Sequence, residues 1–561
     1  MAEKKEKEFS YGSSFLPEGE KKYSVIRWGW NGLNKEDQID TGQLTDMNGM
    51  ICDPPYMYPN KKPKVWLDFQ NGIPVNSNKV STAGRVEGKI ISIAGFDNQL
   101  CLVWEFKDTS ANPNVYTPFI SRFLQSGDDI LINQSYLEDH NLTTANKPRS
   151  IVQFNVVDTS SDNIVTYSYD RKLLIYPDCY SVPYTFDKRS DHWPVTASDF
   201  NTAGNPIPVS DKSAVYQSRV FGTNNNATFA SDYNSYAAYN LDTADDVSSA
   251  HAWWSMTNSN TEADGAVTAM CTYDNHVVIF KKDFMQLVYN NKNPFRIVDV
   301  GAFGCVSNKA WTIMNGVLYF ASQEKIYAFT GGTPKEISKN LDIDDFSFCA
   351  LGSYKNKLYV STIDAVYTFS DGVWSELLRP TNETASYVIR QFATLDFGIV
   401  ALAEYLTSSA ETNYYKLLLL DWDTDFLETK PTTSANWEPD YSGSWWFQTD
   451  LMALGKLDVR RVKKLSALCE GQPGSEMNVY LLKPNETFGR TSSALIGTVK
   501  FKAATAEPFY EGESGFKMLR VLTRQFSSTM HRLYFTGKGY MKIHAAELKI
   551  SWGGDLYAEQ K

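Results

Sequence analysis

The chain is 561 residues long, with 54 Lys and Arg against 65 Asp and Glu, a formal net charge of −11. That length exceeds one small core and points to two or three domains. The acidic balance argues against a general nucleic-acid binder, and 14% aromatic content suits a β-rich protein.

Residues 1–85 read as an N-terminal arm. The start, Met1-Ala-Glu-Lys-Lys-Glu-Lys-Glu-Phe9, is a charged tail without the apolar stretch of a secretory signal. One short strand follows at Tyr23-Ser-Val-Ile-Arg-Trp28, and then turn residues dominate, as in Asp53-Pro-Pro55 and the run from Tyr58 to Pro63. Proline presets an extended chain and donates no ladder bond, so this part is expected to lie over a neighbouring element.

Strand patterns begin at Lys89 and run to about residue 435. The first units are stretched by polar insertions near 134–148, 158–163, 181–212 and 242–264, the last interrupted by Trp253-Trp254. The segment from Gly265 to Pro380 is regular. Phe280, Phe320 and Val360 are 40 residues apart, as are Tyr289, Phe329 and Phe369. Ile297, Ile337 and Leu377 keep the same period, and so do Cys271, Trp311 and Leu351. Turns recur at Asn290-Asn291, Gly331-Gly332 and Asp371-Gly372.

The apolar runs are short, rich in β-branched and aromatic residues, and lack 3.6-residue periodicity. A repeat of about 40 residues with four such strands has the size of one propeller blade. The expected fold is all-β: a β-propeller of six or seven blades over 86–435, with a last unit at Gly398–Leu402 and Lys416–Leu420 and an insertion at 406–413. Composition changes near 431–445, which reads as a linker. Beyond it, 440–561 alternates apolar with polar residues off the 40-residue period. That pattern predicts a separate antiparallel β-sandwich with one wet face.

Little in the sequence carries chemistry. The seven cysteines are dispersed singly and read as buried thiols of a protein made in a reducing compartment. No HExxH, GxSxG or Walker pattern occurs. Asp421-Trp-Asp-Thr-Asp425 starts like a calcium loop but has Phe426 where the turn glycine belongs and Thr432 where the bidentate glutamate belongs. It is read as a hairpin tip. Acidic residues such as Asp299, Asp342, Asp344, Asp345 and Asp364 could line blade loops, and glycan-cleaving propellers need paired carboxylates, but sequence alone brings no two together. No catalytic residue, metal or cofactor is expected, and the chain is expected not to be an enzyme.

Two sets of residues stand out as candidate interaction sites. Trp253 and Trp254 could stack on sugars. Arg460, Arg461, Lys463 and Lys464 form the one basic cluster, with 461 and 463 expected on one face of a strand and 460 and 464 on the other. That cluster could dock a partner or face DNA.

Several stretches resemble the propeller region of tailed-bacteriophage structural proteins of the stabilisation, tail-hub or nozzle type. They are Ser218-Arg-Val-Phe-Gly222 with Ala230-Ser-Asp232, Val300–Cys305, Asn315–Ser322, and Ile326–Gly332 with Ile337-Ser338. Gly32-Leu-Asn34 with Gly42 and Asn48, and Trp446 with Val462-Lys-Lys464, are similar too. A departure is Lys61-Lys62, where that family often carries an arginine after the proline run. The resemblance implies a virion component of the tail or neck made in the bacterial cytoplasm. It would form a ring of about six copies below a portal or adaptor, with genomic DNA only passing through. An alternative is a receptor- or glycan-binding propeller at the tail tip.

Overall fold

The 40-residue repeat is one antiparallel four-stranded sheet, and its four apolar columns fall one to a strand, except that Ile337 lies just past the strand Lys335–Glu336. In the central units these strands are Ala269–Tyr273, His276–Phe280, Met285–Tyr289 and Arg296–Gly301, then Trp311–Met314, Val317–Ala321, Ile326–Phe329 and Lys335–Glu336. The third regular unit is Ala350–Tyr354, Lys357–Ser361, Val366–Ser370 and Val373–Leu378. The second-strand column, Phe280, Phe320 and Val360, is completely buried, because it faces the adjoining sheet on either side.

The computed structural model describes residues 23–552 apart from 37–42, 71–72, 75–86, 97–98, 109–114, 127–128, 137–147, 159–167, 178–183, 188–209, 225–226, 237, 241–247, 256–264, 291, 294, 380, 383–384, 406–413, 424–443, 450–459, 483–493, 504–511, 523–526 and 529–531. The charged tail, the 406–413 insertion, most of the other polar insertions and nearly all of the linker lie outside the described residues.

Seven sheets follow one another around the propeller. Blade 1 is Glu87–Phe96, Gln99–Asp108, Val115–Ser126 and Asp129–Tyr136; blade 2 is Pro148–Asp158, Ser168–Pro177 and Tyr184–Asp187. Blade 3 is Lys212–Tyr216, Arg219–Asn224, Ala227–Ala230 and Trp253–Ser255. The regular triplet supplies blades 4, 5 and 6. Blade 7 starts with Ala385–Leu395, Gly398–Tyr405 and Tyr414–Trp422. Its fourth strand is Lys64–Gln70, paired antiparallel to Tyr414–Trp422, so the start of the chain completes the last blade.

The first strands of successive blades pack side by side, and Ala385–Leu395 returns to Glu87–Phe96 to close the ring. Gln391 joins that seam. Its Oε1 accepts from Ser92 Oγ at 3.0 Å and from the Ile93 amide at 3.2 Å, and its Nε2 donates to the Ile93 carbonyl at 2.8 Å. A Cβ on Gly95 would sit 2.4 Å from the Thr394 carbonyl, so only glycine permits this approach. Gln391→Ala strands a backbone amide and carbonyl at the seam and is expected to cost about 1–3 kcal/mol. Urea unfolding of the variant checks this.

The hairpins between first and second strands share one turn chemistry. Asp274-Asn275, Asn315-Gly316 and Lys355-Asn356 all have positive φ at both positions, as does Gln217-Ser218 in blade 3. Two consecutive positive-φ residues make the primed turn whose twist matches the strands it joins.

Two further sheets form the sandwich. The front sheet runs Met50–Asp53, Tyr56–Pro59, Met541–Trp552, Arg460–Gly471, Gly515–Leu522, with Tyr23–Trp28 also on Met541–Trp552. The back sheet runs Leu44–Asn48, Ser444–Thr449, Arg532–Lys538, Glu476–Leu482, Ala494–Lys500. Glu476–Leu482 shows the expected alternation, with Met477, Val479 and Leu481 inside. The arm is therefore distributed: four of its strands belong to the sandwich and two, Lys64–Gln70 and Ile73–Pro74, to the blade 7 sheet. One apolar core, from Trp30 and Met47 through Phe320 and Trp374 to Phe447 and Phe535, continues from the sandwich into blades 4 to 6, and separate cores lie between the other blades.

Candidate functional site

The described residues converge chemically at the junction of arm, propeller and sandwich, against the outer strand of blade 6. Trp30 is fully buried in the sandwich. Its Nε1 donates to the His544 carbonyl at 2.9 Å, and its ring meets Phe447 and Phe535 edge-on, with centroids at 5.2 and 5.6 Å. From there the chain crosses to blade 6. Gly32 has φ +82, and a Cβ there would meet Val373 Cγ1 at 2.0 Å. The Leu33 amide then donates to the Trp374 carbonyl and the Lys35 amide to the Asn340 carbonyl, both at 2.9 Å. From the sandwich side, the Cys52 amide donates to Ser375 Oγ at 2.9 Å.

A charged cluster sits beneath this crossing. The Glu376 side chain is 0% exposed. Its carboxylate accepts from Lys35 Nζ at 3.3 Å and from the Arg379 guanidinium, which also binds Asp46 of the sandwich and lies over the Trp446 ring. Lys35 donates to the Tyr367 hydroxyl as well, at 3.3 Å. Burial pushes the Glu376 carboxyl above its usual value, while Arg379 and Lys35 act against that shift. Burial also opposes the charge on Lys35, but Tyr367 and Glu376 outweigh it and raise the amine. The cluster therefore ties arm, blade 6 and sandwich together through charges held out of water.

A second cluster fixes the proline-rich part of the arm. Asp421 accepts from Lys61 Nζ at 3.0 Å, Lys357 Nζ at 3.3 Å and the Tyr359 hydroxyl at 3.2 Å. Lys61 donates also to the Trp422 carbonyl at 2.7 Å and lies over the Trp422 ring. Lys355 pairs with Asp423. The first two acids of the calcium-like run are thus engaged by lysines at the end of a strand, and Lys61, in the proline-rich part of the arm, has a structural role. Burial opposes ionisation of Asp421, but Lys357 and Lys61 outweigh it and hold the carboxyl below 3.8. A depressed carboxyl contributes stability above its unfolded value and loses it as pH falls through the folded one. The stability gap between the chain and its Asp421→Asn variant is expected to be constant near neutrality and to shrink below about pH 4. Paired thermal melts across pH measure it.

A third feature organises blade 3. Arg219 is fully buried. Its guanidinium donates to the carbonyls of Ser231 at 2.6 Å, His251 at 2.9 Å and Ser249 at 2.8 Å, between the rings of Tyr233 and Phe295. It fixes both ends of the excursion that leads into the Trp253–Ser255 strand. The signal in the sequence is a lone arginine directly before the apolar pair Val220-Phe221.

The candidate residues fall in two places. Trp253 is half-buried and packs against Phe295, with centroids at 5.0 Å; Trp254 pairs with Phe229 in the ladder. They lie in blade 3, away from the basic run. Arg460, Arg461, Lys463 and Lys464 open a front-sheet strand, with Arg460 opposite Trp552 and Lys464 opposite Lys549. The register shifts between Val462 and Lys464. That bulge interrupts the regular ladder within the basic run.

Six cysteines, 52, 101, 271, 305, 349 and 469, are free and buried, and Cys179 lies outside the described residues. Burial pushes the thiols of Cys52, Cys305 and Cys469 up to about 12, which leaves them unreactive. Among the described residues no group of three His, Cys, Asp or Glu is placed to hold a metal ion. No helix among them is long and apolar enough to cross a membrane.

No protein-family model matches the chain, and no curated protein matches it in sequence. Solved structures do match. Trypanosoma rangeli sialidase is 10% identical with a TM-score of 0.31, over 87% of this chain and 96% of that one. Pyrococcus horikoshii acylaminoacyl peptidase is 11% identical with a TM-score of 0.31, over 66% and 59%. A glycoside hydrolase family 43 arabinoxylan arabinofuranohydrolase from Bacillus subtilis is 9% identical with a TM-score of 0.18, over 91% and 97%. These likenesses concern fold alone. The expectation that the chain is not an enzyme is corrected here: the solved structures it is similar to include a sialidase, a peptidase and a glycoside hydrolase, so this fold supplies no ground for excluding catalysis.

Proposed function

We propose that the chain is a structural subunit of a bacteriophage tail or neck, present in several copies around the axis through which DNA passes. The observation that carries this reading is the threading of the arm through both sandwich sheets and the last blade. One continuous core joins the sandwich to blades 4 to 6. A subunit that holds its place in a pressurised channel wall needs that rigidity, and the loops at the propeller's two ends remain available to neighbours. The family-like segments support the reading. Gly32 and Leu33 sit at the junction, Trp446 under Arg379, and Arg219 in its carbonyl cage. A ring would bring the chain against copies of itself and against portal or adaptor proteins, and its place would be the virion.

The test is imaging of particles carrying a tagged copy of the chain. Density for the propeller in a ring on the tail axis supports the reading. Particles that lack the chain, or a soluble monomer or trimer that binds cell-surface polysaccharide, would sink it and favour the tail-tip alternative.

A further inference from the structure

Charge is divided between the two halves of the molecule. Residues 86–435 hold 41 Asp and Glu against 25 Lys and Arg, whereas 444–561 hold 17 Lys and Arg against 11 Asp and Glu. An acidic propeller therefore carries a basic sandwich.

Each half also exposes large apolar side chains. On the front sheet, Leu465, Ala467 and Cys469 point into the core, so Lys464, Ser466, Leu468 and Glu470 point outward. Lys464 stands directly opposite Lys549 across the ladder. Lys542 lies over the Tyr56 ring at 4.3 Å. On the neighbouring strand Phe516 is 63% and Met518 48% exposed, and among the described residues this strand pairs on one side only. Glu470 and Glu547 share the face. An edge strand with such side chains is an association site unless covered.

The propeller has a counterpart at one end of blade 6. Ala350 and Ser361 pair across the first two strands. Phe348 and Ile363, each two residues beyond that pair, are 59% and 51% exposed. Asp342, Asp344, Asp345 and Asp364 rim them, all exposed.

We propose that these are the two halves of one contact between copies of this chain: the basic apolar front sheet of one sandwich seats on the acidic apolar blade 6 loops of the next molecule. The two patches differ in sign, so the contact is head-to-tail, and repetition either closes a ring or runs on as a filament. Exposed Phe516 and Met518 suit a protein surface that offers Phe348 and Ile363 to pack against better than a phosphate backbone. The inference rests on the reading of the chain as a ring-forming subunit and names the surfaces that would meet.

The experiment is sedimentation of the full chain at low and high salt, with circular dichroism to confirm folding. Two charge-reversed variants are compared: K464E/K542E/K549E and D344K/D345K/D364K. Each is expected to weaken self-association about tenfold or more, and a mixture of the two to restore hetero-association. Association of the wild type should weaken as salt rises. Two further variants, F516S and F348S, should weaken it without changing its salt dependence. If either charge-reversed variant associates like the wild type, the contact is wrong. If the front sheet instead binds a short DNA duplex, lost in K464E/K542E/K549E with self-association unchanged, the partner is nucleic acid and the proposal falls. Particles that incorporate both variants at wild-type copy number would overturn this contact while leaving the tail reading in place.

Discussion

Trp30→Ala is expected to destabilise the chain by about 3–5 kcal/mol, the range for deleting a large aromatic from a well-packed core. The indole is fully buried between Phe447 and Phe535 and is hydrogen-bonded to the His544 carbonyl. Alanine would leave that carbonyl without its donor and open a cavity between the two sandwich sheets. The loss should spread beyond the cavity, because Trp30 anchors the chain just before it crosses to blade 6 at Gly32 and Leu33. Limited proteolysis should therefore cut the arm of the variant well before it cuts the blade hairpins. Trp30→Phe keeps most of the packing and loses the hydrogen bond, so it should retain the arm and cost about 1–2 kcal/mol. Equal protease resistance of the arm in chain and alanine variant would show that Trp30 is not its anchor.

Removing both cations from Glu376 is expected to be as damaging. The double change Lys35→Met with Arg379→Met leaves a carboxylate with 0% side-chain exposure and no ammonium or guanidinium of the present pair beside it. Leaving a buried charge uncompensated costs about 3–5 kcal/mol. Adding Glu376→Met to that double variant should recover most of the loss, since replacing a whole buried ion cluster by apolar side chains is often close to neutral. The sign with pH follows from the raised carboxyl of Glu376. In the double variant burial, with Asp46 acting in the same direction, raises this group unopposed by Lys35 and Arg379, so stability should rise as pH falls towards the carboxylate range and Glu376 takes up a proton. Denaturant unfolding of the double and triple variants at two pH values tests both statements. A triple variant no more stable than the double one would place the loss elsewhere.

The two clusters do different jobs. Lys35, Glu376, Arg379 and Asp46 join arm, blade 6 and sandwich, whereas Lys61, Lys357 and Asp421 join arm, blade 6 and blade 7. Between them the arm is fastened on both sides of the closure of the propeller. The Lys64–Gln70 strand then completes blade 7, so the ring of blades is shut by residues from both ends of the sequence. This is the feature that lets a propeller resist opening at its weakest point, the seam between last and first blades.

The sequence by itself determined the repeat. A 40-residue period with four apolar columns is a local property: each blade is built from consecutive hairpins, so its core residues sit at fixed spacing along the chain. Cys271, Phe280, Tyr289 and Ile297 announce four strands because nothing from elsewhere in the chain is needed to form them. Only the tertiary structure decided where the arm goes. Lys64–Gln70 lies about 350 residues before its partner Tyr414–Trp422, and no periodicity relates strands brought together across such a distance. The same holds for Lys35 with Glu376 and Lys61 with Asp421, separated by 341 and 360 residues. Each is an ordinary charged residue in the sequence. What makes it part of a site is burial, and burial here is created by the folding of distant strands onto one another. Phe348 and Ile363, and Phe516 and Met518, show the reverse case: apolar residues that pattern alone would assign to a core, left on the surface because no strand among the described residues covers them.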